Sequence, residues 1–171
     1  MSSLLDSSVF PGTQGGPLEH VIAAKAISFR ECLDDSFKAY GEQVIKNAQA
    51  MAAAFVSKGY GVISGGTDNH LMLIDLRSSH PDVTGKAAEN WLEQGNIITN
   101  KNMIPFDERK PVETSGLRIG TPAITTRGMK EPEMHQIAGW ISDILSSNGD
   151  AGLIQKVRGA VLEVCQQFPL L

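Results

Sequence analysis

Apolar residues recur first at helical spacing. Leu18, Val21, Ile22, Ala26, Ile27, Phe29 and Leu33 repeat every three or four positions, which predicts a helix from Pro17 to about Leu33. Pro17 suits the first turn, where its missing N–H would have had no helical partner. Asp34-Asp35-Ser36 then offers N-cap oxygens to a second helix with the stripe Phe37, Tyr40, Val44, Ala48, Met51, Ala52 and Phe55, ended by Gly59. Two β-rich runs follow, Tyr60 to Ser64 and Leu71 to Leu76. Gly65-Gly66-Thr67-Asp68-Asn69 joins them as a hairpin or tight connection. The second run is apolar on both faces, as an interior strand is.

Thr84 caps a short helix through Trp91 and Leu92, ended by Gly95. A strand is expected over Ile97 to Thr99, then a loop through Asn100, Asn102, Pro105 and Pro111, then a strand over Leu117 to Ile119. Glu131-Pro132 opens a helix with Ile137, Trp140, Ile141, Ile144 and Leu145 on one face. Asp150 caps a last one carrying Leu153, Val157, Val161, Val164 and Cys165. The stretch from Ser2 to Gly16 has neither period and ends in the turn-forming run Pro11-Gly12-Thr13-Gln14-Gly15-Gly16. The pattern is α/β or α+β, a small sheet covered by helices.

A chain of 171 residues, 42% hydrophobic and 20% charged, suits one compact core. The formal charge of −4 provides no basic footprint for nucleic acid. No run approaches the roughly 20 apolar residues of a membrane span, and the first residues carry no basic leader, so a soluble, cytoplasmic protein is expected. Cys32 and Cys165 lie in apolar helical patterns without metal-ligand spacing, which predicts buried free thiols.

Candidate chemistry lies in three polar, glycine-rich segments: Ser8 to Gly16, Gly65 to His70, and Thr99 to Thr121. In the third, Arg118 stands alone in a β-like stretch expected to be buried. Its planar fork suits a ligand carboxylate, or it forms a structural ion pair with Asp75 or Glu113. The Pro-Gly-Thr-Gln-Gly-Gly run could present backbone N–H groups to a phosphate, although a plain turn explains it too. Thr67 to His70 reads as a hydrogen-bonded turn rather than a metal site, since no second ligand cluster accompanies Asp68 and His70. Lys101, between Asn100 and Asn102, has no apolar pocket to lower its pKa and is read as structural or surface. His20, His80 and His135 are read as ordinary surface or interface residues without partners.

Taken together, Ser8-Val-Phe-Pro-Gly-Thr-Gln-Gly-Gly-Pro17, Ser64-Gly-Gly-Thr-Asp-Asn-His70, Asn100-Lys-Asn102 and Thr114-Ser-Gly-Leu-Arg-Ile-Gly-Thr-Pro-Ala123 closely resemble serine hydroxymethyltransferase. The resemblance runs over essentially the whole chain and corresponds to the C-terminal portion of that family. It implies the fold of aspartate-aminotransferase-like pyridoxal phosphate (PLP) enzymes. Residues 1–35 would be an active-site loop and helix of the large-domain or linker region, and residues 36–171 the small domain. It further implies a homo-oligomer with sites at subunit interfaces, and interconversion of serine and tetrahydrofolate with glycine and methylenetetrahydrofolate. By resemblance, Arg118 holds the amino-acid carboxylate, and Gly15 and Gly16 approach the PLP phosphate of a neighbouring subunit. Asn102 contacts folate, as does the Lys110-Pro111-Val112 stretch, which departs from a Ser-Pro-Phe form found in some members. The family's Schiff-base lysine follows Thr-Thr-His, whereas Thr125-Thr126 here precedes Arg127-Gly128. No catalytic residue is therefore assigned, and the chain alone is expected to be inactive and to hold no cofactor stably. The other function considered is a noncatalytic module that assembles with full-length subunits.

Overall fold

The computed structural model describes residues 2–170. They form a mixed α/β fold, with seven α-helices and a four-stranded antiparallel sheet among the described residues. The chain divides into two compact units, one ending at Lys38 and the other starting at Ala39.

In the first unit, α1 (Ser2–Ser7) is a helix where no periodic element is expected. The Ser7 and Ser8 hydroxyls donate back to the Leu4 carbonyl at 3.1 and 2.7 Å, local bonds that leave no apolar signature in the sequence. A wide turn over Ser8–Thr13 leads to α2 (Glu19–Glu31), close to the expected span. Its apolar stripe is present but uncovered: Ile22, Ile27, Phe29 and Leu33 all remain exposed. Cys32, at the end of this helix, is correspondingly exposed rather than buried.

The second unit contains the core. After α3 (Asp35–Ser57) come β1 (Gly61–Val62), β2 (Leu71–Asp75), α4 (Gly85–Gln94), β3 (Asn100–Asn102), β4 (Gly116–Gly120), α5 (Pro122–Thr126), α6 (Glu131–Ser146) and α7 (Ala151–Gln167). The strand order is β1-β2-β4-β3, so β2 is interior, as its apolar composition implies. Alternate residues Met72, Ile74, Leu117 and Ile119 enter the core with Met51 and Phe55 of α3, Leu92 of α4, Met134, Ile141 and Ile144 of α6 and Ile154 of α7. Burying each such large side chain contributes roughly 1.5–3 kcal/mol. The helices thus cover one sheet face. Positions of the opposite phase (Leu71, Leu73, Asp75, Arg118 and Gly120) are half-buried or exposed, except Gly116, which is buried against Ile104.

The caps form as expected, with Thr84 Oγ1 accepting from Ala87 N–H and Asp150 Oδ1 from Leu153 N–H. The strand expected at Ile97 to Thr99 does not form there. Ile97 and Thr99 are buried, but the ladder begins at Asn100 and ends at Asn102. Lys101 N–H and Nζ both bind the Glu89 carboxylate of α4, at 3.0 and 3.3 Å. A polar edge strand of this kind lacks the alternating apolar signal. Helix α5, not expected, is tied to α3 by the fully buried Asn47, whose Nδ2 donates to Thr125 Oγ1 and to the Met129 carbonyl. His80 is not partnerless. Its ring stacks on Tyr60 with centroids 5.2 Å apart, and its Nε2 lies 3.3 Å from Ser146 Oγ. Cys165 is half-buried. Among the described residues, no helix is long and apolar enough to cross a membrane.

Candidate functional site

The uncovered face of the sheet is where charge and hydrogen-bonding capacity collect. Leu73, Arg118 and Asn100 form one cross-strand row, and Asp75, Gly116 and Asn102 form the next. Residues directly opposite in an antiparallel pair share a face, so Arg118 and Asn102 are diagonal neighbours on the same surface. Arg118 is exposed, in contrast to the burial expected from its small neighbours. Those neighbours alternate: Leu117 and Ile119 turn into the core, which sends Arg118 outward. Neither expected acidic partner engages it. Asp75 binds Arg77 at 2.9 Å, and the Arg118 side chain forms no hydrogen bond or ion pair among the described residues. Its five donors remain open to solvent or ligand. Asn102 donates from Nδ2 to the Met103 carbonyl at 2.7 Å, which fixes its amide plane and leaves Oδ1 as an acceptor.

The loop from Met103 to Ser115 is organised by a residue that sequence inspection did not single out. The Asp107 carboxylate accepts from Ile104 N–H (3.3 Å), Arg109 N–H (3.0 Å), Ser115 N–H (2.9 Å) and Ser115 Oγ (2.7 Å). Arg109 extends the brace, donating to the carbonyls of Val83 (2.8 Å) and Pro81. Lys110, Pro111 and Val112 sit exposed at the tip, where the Lys110 carbonyl closes a turn with Glu113 and Thr114 N–H. The only trace of this arrangement in the sequence is an Asp between turn residues, too common a pattern to assign.

This brace has a pH signature. Burial pushes the Asp107 carboxyl upward, but its four hydrogen bonds outweigh that and hold it below the ordinary 3.8. Asp75 is likewise held below 3.8, where hydrogen bonds from Arg77 outweigh burial. Burial lowers His80 from its ordinary 6.5. For all three, the unfolded chain binds protons more readily, so stability is fully present above the unfolded pKa and falls as pH drops through the folded one. Thermal melts should be level from about pH 7 to 9, decline above about 10 because burial raises Tyr60 from its ordinary 10.0, decline gently below about 6.5 as His80 titrates, and fall steeply below about 4. Asp107→Asn should flatten the acid limb, and a wild-type-like limb in that variant would disprove the assignment.

The β1–β2 connection frames a cavity of about 460 Å³ that includes Leu71 and Leu73, the same phase of β2 that faces Arg118. Its turn is hydrogen-bonded as expected. Thr67 Oγ1 donates to the Leu71 carbonyl at 2.6 Å, and Leu71 N–H donates to Asn69 Oδ1 at 3.0 Å. Ser64, at φ 68°, and Gly65, at φ 74°, are left-handed. Among the described residues, no group of three or more His, Cys, Asp or Glu is placed to hold a metal ion.

Gly15 and Gly16 lie in the first unit. Neither has positive φ, and a Cβ at either would meet nothing within 4 Å. Among the described residues, neither amide donates a backbone hydrogen bond.

A family model described as serine hydroxymethyltransferase matches residues 1–141. The chain belongs to the serine hydroxymethyltransferase family. The serine hydroxymethyltransferase of Acinetobacter baumannii is 57% identical over 166 residues, 97% of this chain and 39% of that protein. The one from Psychrobacter cryohalolentis is 53% identical over 170 residues, 99% of this chain and 40% of that protein. The chain therefore spans about two fifths of the length of these serine hydroxymethyltransferases. Arg118, Asn102 and the Lys110–Val112 tip fall inside the matched stretch, together with the Asp107 brace. Helix α7 lies beyond the family-model match.

Proposed function

We propose that this chain supplies the substrate-carboxylate and folate contacts of a PLP-dependent enzyme interconverting serine and tetrahydrofolate with glycine and methylenetetrahydrofolate. The observation that carries the reading is Arg118, a guanidinium without a partner among the described residues, fixed on a strand whose opposite side is locked into the core. A rigid, open fork is suited to bidentate recognition of a carboxylate. Arg118 would bind and orient the amino acid through its carboxylate. Asn102 and the Lys110, Pro111 and Val112 tip would hold folate on the same surface, at a separation kept by the Asp107 brace. The surface supports this reading because the two groups are neighbours on one sheet face.

Gly15 and Gly16 fit a phosphate contact by the chemistry they offer. Among the described residues their amides are unused, and neither backbone strain nor packing calls for glycine there. An outside group approaching the backbone closely would supply the reason. When bound, PLP supplies an electron sink for the amino acid. In this reading the glycine pair serves a neighbouring subunit's cofactor in a homo-oligomer. The uncovered stripe of α2 supports burial against chain beyond these residues. The unit boundary after Lys38 supports a loop-and-helix region over residues 1–35 and a small domain over 36–171.

The Glu89 carboxylate holds Lys101 at 3.3 Å, which argues against a Schiff-base role for that lysine, and no other lysine is assigned one in this reading. The 171 residues alone should therefore show no serine turnover, and borohydride reduction with PLP should label no lysine stoichiometrically. A chimera in which this segment replaces the matching stretch of the Acinetobacter baumannii relative should turn over serine with tetrahydrofolate. One stoichiometrically labelled lysine in the isolated chain, or a folded but inactive chimera, would refute the proposal.

A further inference from the structure

On the helical side of the sheet, away from the surface that carries Arg118, α5, α6, α7 and the segment before β3 enclose a cavity of about 290 Å³. We propose that it is a binding site for a small monocarboxylate whose body is a single apolar ring or a short branched chain. The inference is independent of the function proposed above.

The body of the ligand follows from the walls. Ile97, Ile119, Ile137, Trp140 and Cys165 make the lining largely apolar. The volume is roughly twice that of an apolar cavity of about 150 Å³ known to admit benzene. One aromatic ring with a short side chain therefore fits, and the volume lies near the low end of ligand pockets.

The head group follows from Arg127, the one charged residue in the lining among the described residues. It ends α5, and its Nη1 donates to the Phe168 carbonyl at 2.8 Å, which anchors the guanidinium between α5 and the end of α7. No carboxylate pairs with it among the described residues. A half-buried guanidinium, immobilised by one bond and with its other donors unused among the described residues, is complementary, beside an apolar cavity, to an anion with an apolar tail. A planar carboxylate matches the fork better than a point charge does. The site is distinct from the Arg118 surface because alternate residues of β4 point to opposite faces. Ile119 lines this cavity, while Arg118 lies on the uncovered side.

The test uses the 171-residue chain carrying Trp91→Phe, so that emission reports Trp140 alone. 3-Phenylpropionate and its neutral counterpart 3-phenylpropan-1-ol are titrated at pH 7. The acid should change the emission saturably and bind at least tenfold more tightly than the alcohol. Arg127→Met, checked for folding by its thermal melt, should abolish that preference while the alcohol binds as before. Should Arg127→Met fail to fold, Arg127→Lys, which keeps the charge but not the fork, should narrow the preference. Ala123→Leu, at an exposed edge of α5 one turn before Arg127, narrows the cavity and should weaken both compounds. Absence of a saturable change, equal binding of acid and alcohol, a preference that survives in a folded Arg127 variant, or indifference to Ala123→Leu would each overturn the proposal.

Discussion

Arg118→Ala should separate folding from binding. In the isolated chain its side chain is exposed and unpaired among the described residues, so the substitution should change stability by no more than about 0.5 kcal/mol. In the chimera with the Acinetobacter baumannii relative, serine affinity should fall roughly 30- to several-thousand-fold. This corresponds to about 2–5 kcal/mol for stranding one charge of a desolvated pair, at about 1.4 kcal/mol per tenfold. The contrast depends on the surroundings. A carboxylate meeting a solvated guanidinium gains only about 0.2–1 kcal/mol, so the isolated chain should not bind serine measurably. Arg118→Lys should recover little in the chimera, because an ammonium cannot form two parallel hydrogen bonds. Isothermal titration with serine, alongside thermal melts of both proteins, checks the pair of expectations. A stable Arg118→Ala chimera that binds serine normally would remove Arg118 from the site.

Most of the architecture was legible because helices announce themselves. The stripes of α2, α3, α6 and α7 and the caps at Thr84 and Asp150 all fall where spacing and capping chemistry put them. The failures share a cause, since each depended on a partner that one-dimensional spacing does not contain. Helix α2 has its apolar stripe but no cover, so the same pattern that buries α3 leaves α2 and Cys32 exposed. Strand β3 is built from Asn-Lys-Asn and held by Glu89 and by β4, neither of which alternation reveals. Arg118 was located by its chemistry but misjudged in burial, because Gly116 and Gly120 resemble core positions when the pleat is ignored. The Asp107 brace was invisible, since its partners at Ile104, Arg109 and Ser115 become meaningful only once the loop closes.

Gly116→Ala should damage both the sheet and the site. The φ of Gly116 lies outside the left-handed region, so the objection to alanine is steric alone. An added Cβ would lie 2.5 Å from Ile104 Cγ2, 2.9 Å from the Ile74 carbonyl oxygen and 3.0 Å from that of Asn102. The two oxygens belong to β2 and β3, on either side of β4, so neither can rotate away as a side chain might. Relief requires the strands to part, which places the cost at the upper end of the roughly 1–3 kcal/mol of overpacking. At about 2–4 °C per kcal/mol for a chain of this size, the melting temperature should drop by roughly 6–12 °C. Because Gly116 lies opposite Asn102 and two residues before Arg118, the chimera should lose affinity for both serine and folate, whereas Arg118→Ala should act chiefly on serine. Ile104→Ala in the same chain removes the closest contact but leaves both oxygens in place. A double-mutant cycle should therefore show favourable coupling that recovers only part of the loss. Gly116→Ala melting within 1 °C of wild type would mean that the sheet accommodates a methyl group at Gly116, and that the fixed spacing between Arg118 and Asn102 is not set there.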